Sequence, residues 1–188
     1  MLQTITQITE QHLIIIAAVI FISLIVYLSR KKIKHYWLNF KTYRQLNRLG
    51  IEQLINVQWP DGLGHYFTID RLVMRNDAIS LIMYKCYPGK IFCADHIDEW
   101  TQMLGQRSYS FENPLHELDY QINTLSASIP DIPVNGYLFF DHLSEFPKGH
   151  PDRVIHSKKI PDELIGNKQD SAQQDILDAW QQLIKIKV

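Results

Sequence analysis

The sequence predicts an α/β domain behind one membrane-spanning helix. Three observations predict it. An uncharged run dominated by Ile, Leu, Val, Ala and Phe extends from Leu13 to Leu28. Seven basic residues and no acid follow between Arg30 and Arg48. Beyond Leu46, short alternating apolar stretches and helically spaced ones are punctuated by Gly and Pro turns.

The apolar run sets the first boundary. As a helix rising ~1.5 Å per residue, the segment from His12 to Ser29 covers ~27 Å, close to the ~30 Å of a bilayer core. A signal peptide would carry its Lys or Arg before the apolar run and a small-x-small site after it, and this chain has neither. A half-exposed core helix would keep a polar face. The basic cluster that follows is expected to stay on the inner side, leaving a short tail outside. Tyr36, Trp37, Phe40 and Tyr43 are interleaved with those bases, a composition that suits the headgroup level of anionic lipid.

Charge then narrows the function classes. From Leu49 to the end, 12 Lys and Arg stand against 19 Asp and Glu, a formal charge of −7. Broad nucleic-acid binding is driven largely by positive charge, so this balance weighs against it. Hydrophobic content of 46% and charged content of 21% exclude a disordered or multi-span chain. Cys86 and Cys93 lack a CxxC pattern and a zinc-type His pair, so they read as small residues on neighbouring strands. The histidines are scattered without ligand spacing. No Gly-rich phosphate loop or nucleophile elbow is present.

The domain reads in order as follows. Gln45–Val57 has Leu46, Leu49, Leu54 and Ile55 near helical spacing and predicts a first helix. "WPDGLG" is a turn, and "HYFTIDRLVM", "AISLIMYKC" and "KIFCA" predict an antiparallel three-stranded meander. "DHIDEW", from Asp95 to Trp100, gathers three acids and fits an acidic helix start as well as a cation site. Asn113-Pro114 starts a helix with Leu115, Leu118, Ile122 and Leu125 on one face, ended by Pro130. "VNGYLFFDH" is a buried strand, "RVIHS" a short one, and Asp170 to Lys185 a terminal amphipathic helix.

Within the meander, Asp70 on one strand and Lys85 on the next can meet at one end of a sheet. Met83 shares a strand face with Lys85. An Asp paired with an acid-x-Lys strand can hold Mg²⁺ through its carboxylates while the lysine assists the attacking water or the developing charge. On spacing alone that signal is weak.

Six blocks in order raise it: "GIE" at Gly50 to Glu52, "TIDRLVM", "MYKCYPGKIF", "DEWTQ" with Trp100, "YSFENPL" with Asn113-Pro114, and "VNGYLFFD". Across roughly Leu49 to Asp141 the chain thereby resembles the nuclease-related domain (NERD) family. The resemblance implies a restriction-endonuclease-like, PD-(D/E)xK fold: a three-layer α/β core with a central mixed sheet flanked by helices. It places the family's active-site residues on Asp70, Lys85 and a helix glutamate, Glu52. The acid expected two residues before the lysine falls on Met83. A thioether is a poor ligand for a cation that prefers oxygen, so a Mg²⁺ site built on Asp70 would need another acid, with Glu52 or Asp95 the candidates. The family's histidine after the Asp is Arg71 here, and its glutamine after Asn-Pro is replaced by Glu117.

The expected organisation is a tail over 1–11, a transmembrane helix over 12–29 and a basic juxtamembrane segment over 30–48. A NERD-like domain over 49–165 follows, with a C-terminal amphipathic helix within 166–188 packed on it. The expected setting is the bacterial inner membrane, single-pass, with the domain cytoplasmic. The expected role is interaction with nucleic acid or a protein partner from a decayed nuclease site. The alternative is an active Mg²⁺-dependent DNA nuclease using Asp70, Lys85 and Glu52.

Overall fold

A computed structural model describes residues 2–166 and 171–186, without the side chains of residues 2–17 and 31. The chain divides into two units, Met1–Lys41 and Thr42–Val188. The first unit is most of one long helix, α1 (Leu2–Leu46). Along it Val19, Ile20, Phe21, Ile22 and Leu24 to Leu28 are all exposed, as are Tyr36, Trp37 and Phe40. Among the described residues no helix is long and apolar enough to cross a membrane. The side chains of residues 12–17, the first third of the predicted span, lie outside those described.

The second unit is built on a five-stranded mixed sheet of order β1-β2-β3-β7-β9. β1 (Glu52–Pro60), β2 (Tyr66–Met74) and β3 (Ile79–Lys85) are antiparallel neighbours. β7 (Val134–Phe140) runs parallel to β3 through seven paired positions, and β9 (Val154–His156) runs parallel to β7. β3 is buried on both faces along its first five residues, which is why it reads as a strongly apolar run with Ser80 as its one polar member. One face packs Leu72, Leu81, Met83, Leu138 and Phe140 against α2 (Pro114–Ser128) and α3 (Gln174–Ile186). The other packs Val73, Ile82, Phe139 and Ile155 against Leu46 at the end of α1, Leu49 just beyond it, and Leu164.

A smaller sheet of order β6-β5-β4-β8 comprises β4 (Gly89–Phe92), β5 (Glu99–Leu104), β6 (Arg107–Glu112) and β8 (Ser144–Glu145). It corrects two expectations. "KIFCA" does not extend the meander, because the free edge of β3 is taken by β7. The chain turns at Gly89, φ +92°, and β4 pairs with β5 instead. "DHIDEW" leads into the β5–β6 hairpin, with Trp100 fully buried, and starts no helix.

A third correction bears on the site. The segment Gln45–Val57 is not a helix: α1 ends at Leu46 and Glu52 begins β1. The break is fixed at Gly50, φ +58°, which donates to Leu164 O at 3.0 Å while Gly166 donates to Arg48 O at 2.9 Å. A Cβ on Gly166 would fall on the Gly50 carbonyl, so the two strands of chain cross where only glycines fit. Apolar spacing alone could not announce a contact made 116 residues later.

Candidate functional site

Asp70 stands where β2 and β3 part. The last paired positions are Arg71 and Ile82, and one further step of that register sets Asp70 across from Met83. The ladder does not continue. Instead Asp70 Oδ2 accepts a hydrogen bond from the backbone N–H of Tyr84 at 2.7 Å. The carboxylate therefore replaces a backbone acceptor at the fork, in a charge-assisted bond.

Met83 is 4% exposed and belongs to the core cluster that contains Leu115 and Leu118 of α2. The position opposite Asp70 thus holds a thioether packed under a helix. Two residues on, Lys85 shares its face, and its Nζ reaches Glu117 Oε2 on α2 at 3.0 Å. The lysine side chain is 19% exposed and the glutamate 57%.

Glu117 is aimed by the start of α2. Asn113 is fully buried and caps the helix: its Oδ1 accepts from Leu115 N at 3.0 Å, and its Nδ2 donates to Ile97 O at 2.8 Å and Asp95 O at 3.2 Å. One asparagine therefore pins the helix start to the loop before β5, and the first turn brings Glu117 over the end of β3. Lys85, Tyr87, Phe111, Glu112 and Glu117 line an open cleft of about 200 Å³ there.

The other predicted residues lie elsewhere. Glu52 is exposed and pairs with Met74, four positions along β2 from Asp70, or ~13 Å at strand rise. It is not brought to Asp70 and Lys85, because the segment assumed to be a helix is a strand. Asp95 gives its carbonyl to Asn113, and after desolvation its charge is the second cause that raises the Cys93 thiol. Among the described residues no three His, Cys, Asp or Glu side chains gather to hold a metal ion. The residue that sequence reasoning undervalued is Glu117, whose signal was the Asn-Pro helix start.

Two neighbouring sites are structural. Arg71 is buried, its guanidinium lies 5.3 Å from the Tyr43 ring, and its Nη1 donates to Asn47 Oδ1 at 2.9 Å and Gln53 Oε1 at 2.6 Å. Burial lowers its pKa, while Tyr43 and Asp70 oppose that. The end of α1 is thereby clamped to β1 and β2. Behind the sheet, Cys86 Sγ donates to Asp141 Oδ2 at 3.0 Å, and Asp141 is 1% exposed. Desolvation, then the bond and charge of Asp141, push the Cys86 thiol up to about 11. Desolvation, then the charges of Asp141 and Cys86, push Tyr84 up to about 12. Cys86 is thus a protonated thiol at neutral pH and a poor nucleophile.

With this geometry in place, comparison with known proteins adds one positive result. A family model described as nuclease-related domain matches residues 34–141, a stretch containing Asp70, Met83, Lys85 and Glu117. No curated protein and no solved structure matches the chain.

Proposed function

The chain belongs to the nuclease-related domain family, and from that premise we propose that its globular part is a restriction-endonuclease-like module that binds nucleic acid without cutting it. The observation that carries this reading is Met83. It occupies the position across from Asp70, where a second carboxylate would complete a metal pair, and it is packed as core. Mg²⁺ takes oxygen ligands in near-octahedral geometry, which a buried thioether cannot supply. Asp70, half-buried and bonded to Tyr84 N, remains as one carboxylate at the fork. This donor set does not fit the metal. Lys85 persists as a cation at the rim of the cleft, a group suited to a phosphate.

The test uses the full chain in detergent. DNA is incubated with Mg²⁺ or Mn²⁺, and no cleavage is expected. Cation-dependent cleavage lost in Asp70→Ala would overturn the reading.

A second reading, an active Mg²⁺-dependent nuclease, retains Asp70 and Lys85. One observation favours Glu117 over Glu52 as its second acid: Glu117 lies 3.0 Å from Lys85 Nζ. Cleavage abolished equally by Asp70→Ala and Glu117→Gln, and untouched by Glu52→Gln, would establish it.

We also propose that α1 anchors the domain at the inner face of the bacterial inner membrane. A helix apolar on every side has no favourable aqueous setting, and Val19 to Leu28 offers no polar face beyond Ser23 and the Tyr27 hydroxyl. The basic residues from Arg30 to Arg48 then lie beside anionic headgroups. Retention of the chain in membranes washed with alkaline carbonate is the expected result, and release into the supernatant would refute it.

A further inference from the structure

We propose that Glu117 is an internal stand-in for a phosphate: a latch that occupies Lys85 and must swing away before the cleft accepts a nucleic-acid backbone. This rests on the reading of the domain as a nucleic-acid binder.

The two partners of the 3.0 Å ion pair are held very differently. Lys85 is the last residue of β3, paired with Phe140 of β7, and its carbonyl accepts from Asp141 N at 3.3 Å. Its side chain is 19% exposed and lines the cleft. Glu117 rides on a helix surface and is 57% exposed. Rotating its side chain frees the lysine without disturbing Leu115 and Leu118, which hold α2 on the sheet. The fixed partner is the cation and the movable partner is the anion, the arrangement a displaceable latch requires.

Charge gives the latch its effect. Around the cleft, Glu112 and Glu117 set two carboxylates against the one ammonium of Lys85. With the pair closed, an arriving phosphate meets a net negative rim and a lysine already engaged. From Leu49 onward the chain carries −7 overall, so no general positive field offsets that local repulsion. Access to Lys85 is therefore decided within the cleft. A carboxylate oxygen 3.0 Å from Nζ stands where a phosphate oxygen would bind.

The experiment measures anisotropy of a short fluorescein-labelled DNA, duplex and single-stranded, with the full chain in detergent at fixed salt and with chelator present. Four proteins are compared: wild type, Glu117→Gln, Lys85→Ala and the double variant, each checked for folding by its melting temperature. Glu117→Ala serves as a second latch variant should the glutamine protein not fold. Glu117→Gln is expected to bind about threefold tighter or more, from release of an exposed ion pair and removal of a like charge. Lys85→Ala is expected to weaken binding and to erase the gain in the double variant. Equal or weaker binding by Glu117→Gln overturns the latch, and so does the same gain in the Lys85→Ala background. If none of the four binds, the parent reading fails and the latch with it, a result distinct from wild type binding as well as Glu117→Gln.

Discussion

Met83→Glu tests the core of the argument, because it restores the acid at a position the fold now uses for packing. Met83 is 4% exposed within a cluster that includes Leu81, Leu115, Leu118 and Leu138. Replacing it forfeits about 1.5–3 kcal/mol of apolar burial. It also brings a carboxyl group into a site where neither Asp70 nor Glu117 can pair with it favourably. The expected net loss is about 2–4 kcal/mol in chelator. At roughly 2–4 °C per kcal/mol for a domain of this size, the melting temperature falls by on the order of 10 °C. Divalent cation should reverse much of this, since the new carboxylate lies across from Asp70. A cation at about 100 times its dissociation constant contributes ~2.7 kcal/mol. Thermal unfolding of wild type and variant with and without Mn²⁺ is the assay. If wild type itself melts higher with Mn²⁺ and Asp70→Ala removes that shift, the site is competent and the module is not a decayed one. A Met83→Glu variant that costs nothing in chelator would show that Met83 is not core.

Four further outcomes are expected. Arg71→Met removes the donor that Asn47 and Gln53 share and should cost about 2–3 kcal/mol in urea unfolding, by loosening the end of α1 from β1; an unchanged midpoint would show the clamp to be inert. Gly136→Ala would drive a Cβ into Ile122 of α2, and the side-chain shift it forces should cost about 1–3 kcal/mol, read from the same titration. Alkaline pH should destabilise the fold. Cys86 and Cys93 are raised from 9.0 to about 11 and Tyr84 from 10.0 to about 12. Each is an acid favoured neutral when folded, so its contribution is full below the ordinary value and is lost as pH climbs through the raised one. The urea midpoint should decline progressively between pH about 9 and about 12. Asp141→Asn should lower the Cys86 value and speed its alkylation at pH 9.

Where one segment's own pattern decides its structure, the sequence was a sufficient guide. The strongly apolar stretch of β3 announced a strand, and Asn113-Pro114 with Leu115, Leu118 and Leu125 announced α2 with its buried side. Two errors had a common cause, the pairing of distant segments. β7 takes the edge of β3, which expels β4 into another sheet, and the Gly50–Gly166 crossing ends α1 where apolar spacing would have carried a helix through. Periodicity reports which face of a segment is buried, not which partner buries it.

The same limit explains what was legible of the site. Asp70, Met83 and Lys85 lie on adjacent strands joined by a short turn, so alternation and register nearly suffice to align them. Glu117 lies 32 residues beyond Lys85, and only the docking of α2 makes them neighbours. Glu52 can compensate only from a helix beside the site; once Gly50 turns the chain into β1, that residue is carried to the far end of the hairpin register. The question left by Met83 therefore moves from the first strand to the second helix. Whether Glu117 supplies an oxygen ligand or merely occupies Lys85 is decided by one comparison: Glu117→Gln should abolish cleavage in the first case and tighten DNA binding in the second, opposite effects of removing the same charge.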